Sequence, residues 1–97
     1  MNGAERIAAE RKRQIEEEGW DAKHDDRTCV NGELPMLAVC YLIRKINIGK
    51  YNETLLPYDW WQWLKLTPDN RIRELEKAGA LIAAEIDRLL RIEAQNG

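Results

Sequence analysis

Thr67-Pro68-Asp69-Asn70-Arg71-Ile72-Arg73-Glu74-Leu75-Glu76-Lys77-Ala78-Gly79-Ala80-Leu81-Ile82-Ala83-Ala84-Glu85-Ile86-Asp87-Arg88-Leu89 decides the fold class. Thr67, Pro68 and Asp69 form a helix start signal: a hydroxyl cap, a proline for the first turn and an acid at the positive dipole end. Ile72, Leu75, Gly79, Ile82, Ile86 and Leu89 then alternate spacings of three and four, the seam of a helix packed at a shallow angle against others. Ala78, Gly79, Ala80, Ala83 and Ala84 thin its middle, so that a neighbouring helix comes close or a large side chain lies across it. Asp69 with Arg73 and Asp87 with Arg91 stand one turn apart as supporting pairs. The helix is expected to run to about Ile92.

Upstream, Glu33 to Ile46 is apolar nearly all round, which places a helix centrally, and Pro35 fits its first turn. Gly3 to Glu18 is rich in helix formers, but its stripe of Ala4, Ile7, Ala8 and Ile15 is thin and is shared with Arg11 and Glu18. Such a helix lies outside and is held by tertiary packing. Gly19 supplies the left-handed residue that closes it, and Trp20 folds the chain back. A loop joins it to the second helix. Roughly twenty residues separate the second and third helices, and they carry Tyr51, Tyr58, Trp60, Trp61 and Trp63. Asp59 to Leu66 is expected to form a turn or two of helix. The chain therefore reads as all-α: a single domain over 1–97, a small antiparallel bundle of three main helices plus a short Trp-rich helical turn. The thin first helix and the small-residue seam lead us to expect a homodimer.

Composition bounds the function. The 97 residues are 44% hydrophobic and 33% charged, values of a globular chain with one modest core. Fifteen Lys and Arg against seventeen Asp and Glu argue against nucleic-acid binding by bulk charge. No apolar run approaches membrane-spanning length, and the first residues do not read as a secretory signal. Cys29 and Cys40, with no second pair, do not make a disulfide framework, and the reading is a cytoplasmic chain with reduced thiols. Cys40 reads as a small buried hydrophobe. Phosphate-loop, dinucleotide-binding, zinc-protease and serine-nucleophile signatures do not occur in the sequence.

Three constellations carry candidate chemistry. Glu18, His24, Asp25, Asp26 and Glu33 fall within sixteen residues, and oxygen ligands with one imidazole suit Mg²⁺ or Mn²⁺. The structural alternative has Asp25 and Asp26 in turn bonds, His24 on Trp20 and Glu33 at a helix start. Glu85 flanks the seam of the last helix, either as a surface pair with Arg88 or as a metal ligand with Glu33. Finally, Arg71, Arg73 and Lys77 open that helix beside Trp60, Trp61 and Trp63. Cations and aromatic faces together could hold a phosphate and stack a base, an exposed Trp patch would dock a protein, and a lid of rings over the core is the structural alternative.

The string Glu10-Arg11 … Arg13-Gln14-Ile15 … Glu18-Gly19-Trp20 … His24-Asp25-Asp26, then Gly32-Glu33-Leu34, resembles a family of small phage and prophage proteins. So does Arg73 … Leu75 … Lys77-Ala78-Gly79-Ala80-Leu81-Ile82 … Ala84-Glu85-Ile86 … Arg88-Leu89. The resemblance implies an accessory protein made in the cytoplasm of a bacterial host, in a setting where nucleotide metabolism and counter-defence are common roles. A weaker similarity is to all-α nucleotide pyrophosphohydrolases of the MazG type, which hold Mg²⁺ with Glu-x-x-Glu and Glu-x-x-Asp on helices. Met36 follows Glu33 here at that spacing, and Arg88 follows Glu85. The leading expectation is a non-enzymatic module that binds a host protein or a nucleotide-like ligand through Trp60, Trp61, Trp63, Arg71, Arg73 and Lys77, without a cofactor. The alternative is a metal-dependent nucleotide phosphohydrolase using Glu18, His24, Asp25, Asp26, Glu33 and Glu85.

Overall fold

A computed structural model describes residues 1–43, 60–67 and 69–96. Within them the chain is all-α: α1 (Gly3–Glu18), α2 (Ala22–Thr28), α3 (Glu33–Leu42), a short 3₁₀ turn (Trp60–Trp63) and α4 (Arg71–Asn96). The long α4 is the spine, and α1, α2 and α3 each pack on it. No helix among the described residues is long and apolar enough to cross a membrane.

The first helix opens on a capping box, with Asn2 Oδ1 accepting from the Glu5 N–H and Glu5 Oε1 accepting from the Asn2 N–H, both at 2.9 Å. Reciprocal capping of this kind satisfies two orphan donors. It closes at Gly19 in the left-handed region (φ 75°), a conformation that would strain a side-chain-bearing residue. Trp20 turns inward there and is buried. Of the expected stripe of Ala4, Ile7, Ala8 and Ile15, Ile7 alone is turned toward the rest of the described structure. Ala4, Ala8 and Ile15 are exposed, and the inner face is built on Glu10 and Gln14, flanked by half-buried Ile7, Arg11 and Glu18. Ile7, seated at Gly79, is the stripe residue that meets α4, and the ion pairs Glu10–Arg73 and Arg6–Glu76 take the place of the rest of the stripe.

Residues 22–28, read from sequence as loop, form α2. Asp21 caps it, its Oδ1 accepting from the His24 N–H at 2.9 Å, and Asp25 is its one buried residue. Ala-Lys-His-Asp-Asp-Arg-Thr has no apolar period to betray a helix, because charge holds this one. Arg11 on α1 takes Asp25, and Arg91 on α4 takes Asp26.

The third helix supplies much of the core: Leu34, Leu37, Ala38, Cys40 and Tyr41 pack with Trp20, Cys29, Ala78, Leu81 and Ala84. Burying each Leu contributes about 1.5–3 kcal/mol. Both cysteines are buried and free. The helix ends at Leu42, short of the expected Ile46, with the Ile43 N–H donating to the Val39 carbonyl. Residues 44–46 lie outside the described residues.

Three expectations for α4 need correction. It starts at Arg71 and is capped by Asn70, whose Oδ1 accepts from the Arg73 N–H at 3.0 Å. Thr67 takes part through its backbone, its carbonyl accepting from the Asn70 N–H and its own N–H donating to buried Glu74. The helix also runs past Ile92 to Asn96. More consequentially, the heptad-like seam is not the packed face. Glu74, Lys77, Ala78, Ala80, Leu81, Ala84 and Arg88 are buried, whereas Ile72, Leu75, Ile82, Ile86 and Leu89 are exposed. Small alanines on the inner face let the other helices approach closely. Gly79, half-buried within the seam, lies against α1: a Cβ there would lie 2.6 Å from Ile7 Cδ1.

Candidate functional site

The inner face of α4, the end of α1 and the turn before α4 enclose a cleft lined by Glu10, Arg13, Gln14, Glu18, Tyr41, Trp63, Lys65 and Lys77, above Trp20, Leu37 and Leu81. Its enclosed volume of about 20 Å³ is room for roughly one water molecule. Trp63 stands at the cleft edge, 45% exposed, with its ring edge-on to Trp20 at 6.1 Å between centroids. Among its lining groups Gln14 is distinctive. The residue is only 4% exposed, and among the described residues its Oε1 has no hydrogen-bond partner.

The surrounding charges are arranged rather than loose. Lys77 is buried, donates from Nζ to the Lys65 carbonyl at 2.6 Å, and sits 5.6 Å from the Tyr41 ring centroid. Burial and the nearby Arg73 charge together lower its pKa. Tyr41 accepts from the Lys65 N–H at 2.9 Å, and burial pushes its phenol up to about 12. Glu18 bridges Lys65 Nζ (2.6 Å) and Arg13 (3.1 Å). Glu10 pairs with Arg13 at 2.8 Å and Arg73 at 2.6 Å. Burial alone would raise its carboxyl, but the two guanidinium groups outweigh this and hold it below its ordinary value.

Of the residues singled out for binding, the structure brings Trp63 and Lys77 to this cleft. Arg71 is elsewhere, donating to the carbonyls of Tyr41 and Leu42, both at 2.8 Å, so it ties α4 to the end of α3. Arg73 is held by Glu10 and Glu76 rather than by Asp69. The side chains of Trp60 and Trp61 lie outside the described residues.

The carboxylates of the metal reading do not form one cluster. His24 Nδ1 meets Asp25 Oδ1 at 3.0 Å, with the His24 ring tilted over Trp20 at 4.7 Å between centroids. Asp25, fully buried, pairs through Oδ2 with Arg11 at 2.9 Å, and the same guanidinium donates to the Trp20 carbonyl. Cys29, which the sequence reading left out, completes a trio with His24 and Asp25 whose ligand atoms lie within 4.8 Å of one another. Burial, with the charges of Asp25, Glu33 and Glu85 behind it, raises the Cys29 thiol to about 11. Asp26 is bound by Arg91 at 2.9 Å, instead of in a turn. Glu33 accepts from the Asn31 N–H at 2.7 Å at the start of α3, Glu85 is paired with Arg88 at 2.7 Å, and Glu18 stands at the Trp63 cleft. A divalent cation drawing on these acids would compete with Arg11, Arg13, Arg88 and Arg91.

Gln14, Glu10 and Arg13 were missed because a polar residue on a polar helix attracts no notice. Their signal was positional: Ile7, Gln14 and Glu18 recur at helical spacing with Glu10 and Arg11 between them. Compared with protein-family models, with curated proteins and with solved structures, the chain matches none of them.

Proposed function

We propose that this protein is a small phage or prophage accessory protein of the bacterial cytoplasm, working as a non-enzymatic module that docks a host protein at the Trp63 cleft. The observation that carries the reading is the Gln14 amide, buried at the cleft beside a half-exposed tryptophan with its oxygen unpaired. Leaving such a group unsatisfied costs about 1–3 kcal/mol, which a water in the one-water space of the cleft, held in place by a docked partner, would recover. Trp63 supplies the flat, rigid surface on which interface energy concentrates.

A protein fits better than a nucleotide. Arg71, Arg73 and Lys77 are each engaged by acceptors within the chain, with which a phosphate would have to compete. The phosphohydrolase reading asks still more, since Glu18, Asp25, Asp26 and Glu85 would each have to leave a cation.

The test is affinity capture from a bacterial lysate with wild type, Trp63→Ala and Gln14→Leu, with helicity checked by circular dichroism. A partner held by wild type and lost by both folded variants supports the cleft; equal retention by all three removes it. Thermal shift with ATP is run in parallel, and a shift that Lys77→Ala abolishes would replace the protein reading with a nucleotide one.

A further inference from the structure

The outer face of α4 breaks the rule for a surface helix. At about 100° per residue, Ile72, Leu75, Gly79, Ile82, Ile86, Leu89 and Leu90 share an arc facing away from the core. No charged side chain falls on that arc between Ile72 and Leu90, and Glu93 takes the next position in the register. The six larger side chains are between 43% and 62% exposed. Among the described residues α1, α2 and α3 pack on α4, whose buried residues lie on the opposite side, and Ile7 of α1 reaches the arc at Gly79.

We infer that this arc binds a second copy of the chain, with the two α4 helices antiparallel about a two-fold axis. Two features single out a copy over a foreign helix. First, the spacing is its own mirror image: three, four, three, four, three from either end. Reversed onto itself, the seam sets Ile72 against Leu89 of the other copy, Leu75 against Ile86 and Gly79 against Ile82. A two-fold interface demands this self-complementarity, and an arc without charge offers a foreign partner no other register mark. Second, the area suffices. The exposed fractions amount to about 500 Å² of apolar surface per copy, and about 1,000 Å² for a pair reaches the size at which specific interfaces begin. Antiparallel packing also opposes the two helix dipoles. Lys77 and Leu81, on the opposite side of α4, line the Trp63 cleft, so both clefts stay open in the dimer and the inference stands independently of the docking reading.

The experiment is sedimentation equilibrium of wild type and of Ile86→Lys, with circular dichroism on both. The expected result is a wild type of twice the 11.3 kDa chain mass and a helical variant whose dissociation constant has risen at least about a hundredfold. Oxidative cross-linking checks orientation without a charged substitution. Ile72→Cys mixed with Leu89→Cys should give a mixed dimer, with neither linking to itself efficiently. A wild type that stays monomeric into the hundreds of micromolar overturns the inference. So does a dimer that survives Ile86→Lys, or one in which Ile72→Cys links to itself.

Discussion

Gly79→Ala isolates the contact by which α1 is seated on α4. An alanine in place of a mid-helix glycine ordinarily gains about 1 kcal/mol, because glycine loses the most backbone freedom on folding. Here the new methyl would lie 2.6 Å from Ile7 Cδ1, 2.8 Å from Cγ1 and 3.3 Å from Cγ2. Rotating the tip of Ile7 clears Cδ1 but not Cγ1, and a β-branched residue on a helix has one strongly preferred χ1. The helix α1 must therefore move, an overpacking cost of about 1–3 kcal/mol. The net expectation is a loss of about 1 kcal/mol, read as a Tm lower by about 4–8 °C at fixed protein concentration. Ile7→Ala removes all three obstructing atoms, so in that background Gly79→Ala should change sign and stabilise by about 1 kcal/mol. The double-mutant cycle then returns a coupling of about 2 kcal/mol. If urea unfolding shows Gly79→Ala stabilising both backgrounds equally, α1 does not rest on Gly79 and the account of its seating is wrong.

Arg11→Met keeps the aliphatic stem but strands the fully buried Asp25 carboxylate with His24 as its remaining partner. Unfolding in urea should show a loss of about 3–5 kcal/mol, part of it recovered by Asp25→Asn in the same background; a loss under about 1 kcal/mol would refute the role given to this pair in holding α2. Glu10→Gln tests the ion-pair network between α1 and α4. Because the native carboxyl is held below its ordinary 4.5, its stabilisation is complete above that value and is lost as the pH falls through the lowered one. The stability gap between wild type and Glu10→Gln should therefore narrow as the pH falls below the ordinary 4.5, and a gap independent of pH would refute the assignment.

Much of the candidate site was hidden for one reason: it is polar. Trp63 and Lys77 were legible because large rings and cations at a helix start attract a functional reading, whereas Gln14 earns its place only through where α1 lands. Arg71 and Arg73 looked equally suited to a ligand until their acceptors came into view, two α3 carbonyls and a carboxylate from α1. Cys29 joined His24 and Asp25 because α2 folds five residues of apparent loop into little more than one turn.

The sequence by itself determined the helical class, the bounds of α1, the closure at Gly19 with Trp20 turned in, and the central place of the apolar segment from Glu33. These follow from propensity, capping and mean polarity, which act locally and leave their mark in consecutive residues. Tertiary structure alone decided which face of α4 is buried. That helix carries one face of large apolar side chains at heptad spacing and another of alanines and Leu81 among the charged Glu74, Lys77 and Arg88, and apolar periodicity points to the first. The core of α3 closes on Ala78, Leu81 and Ala84 and so buries the small face, while among the described helices none covers the large one.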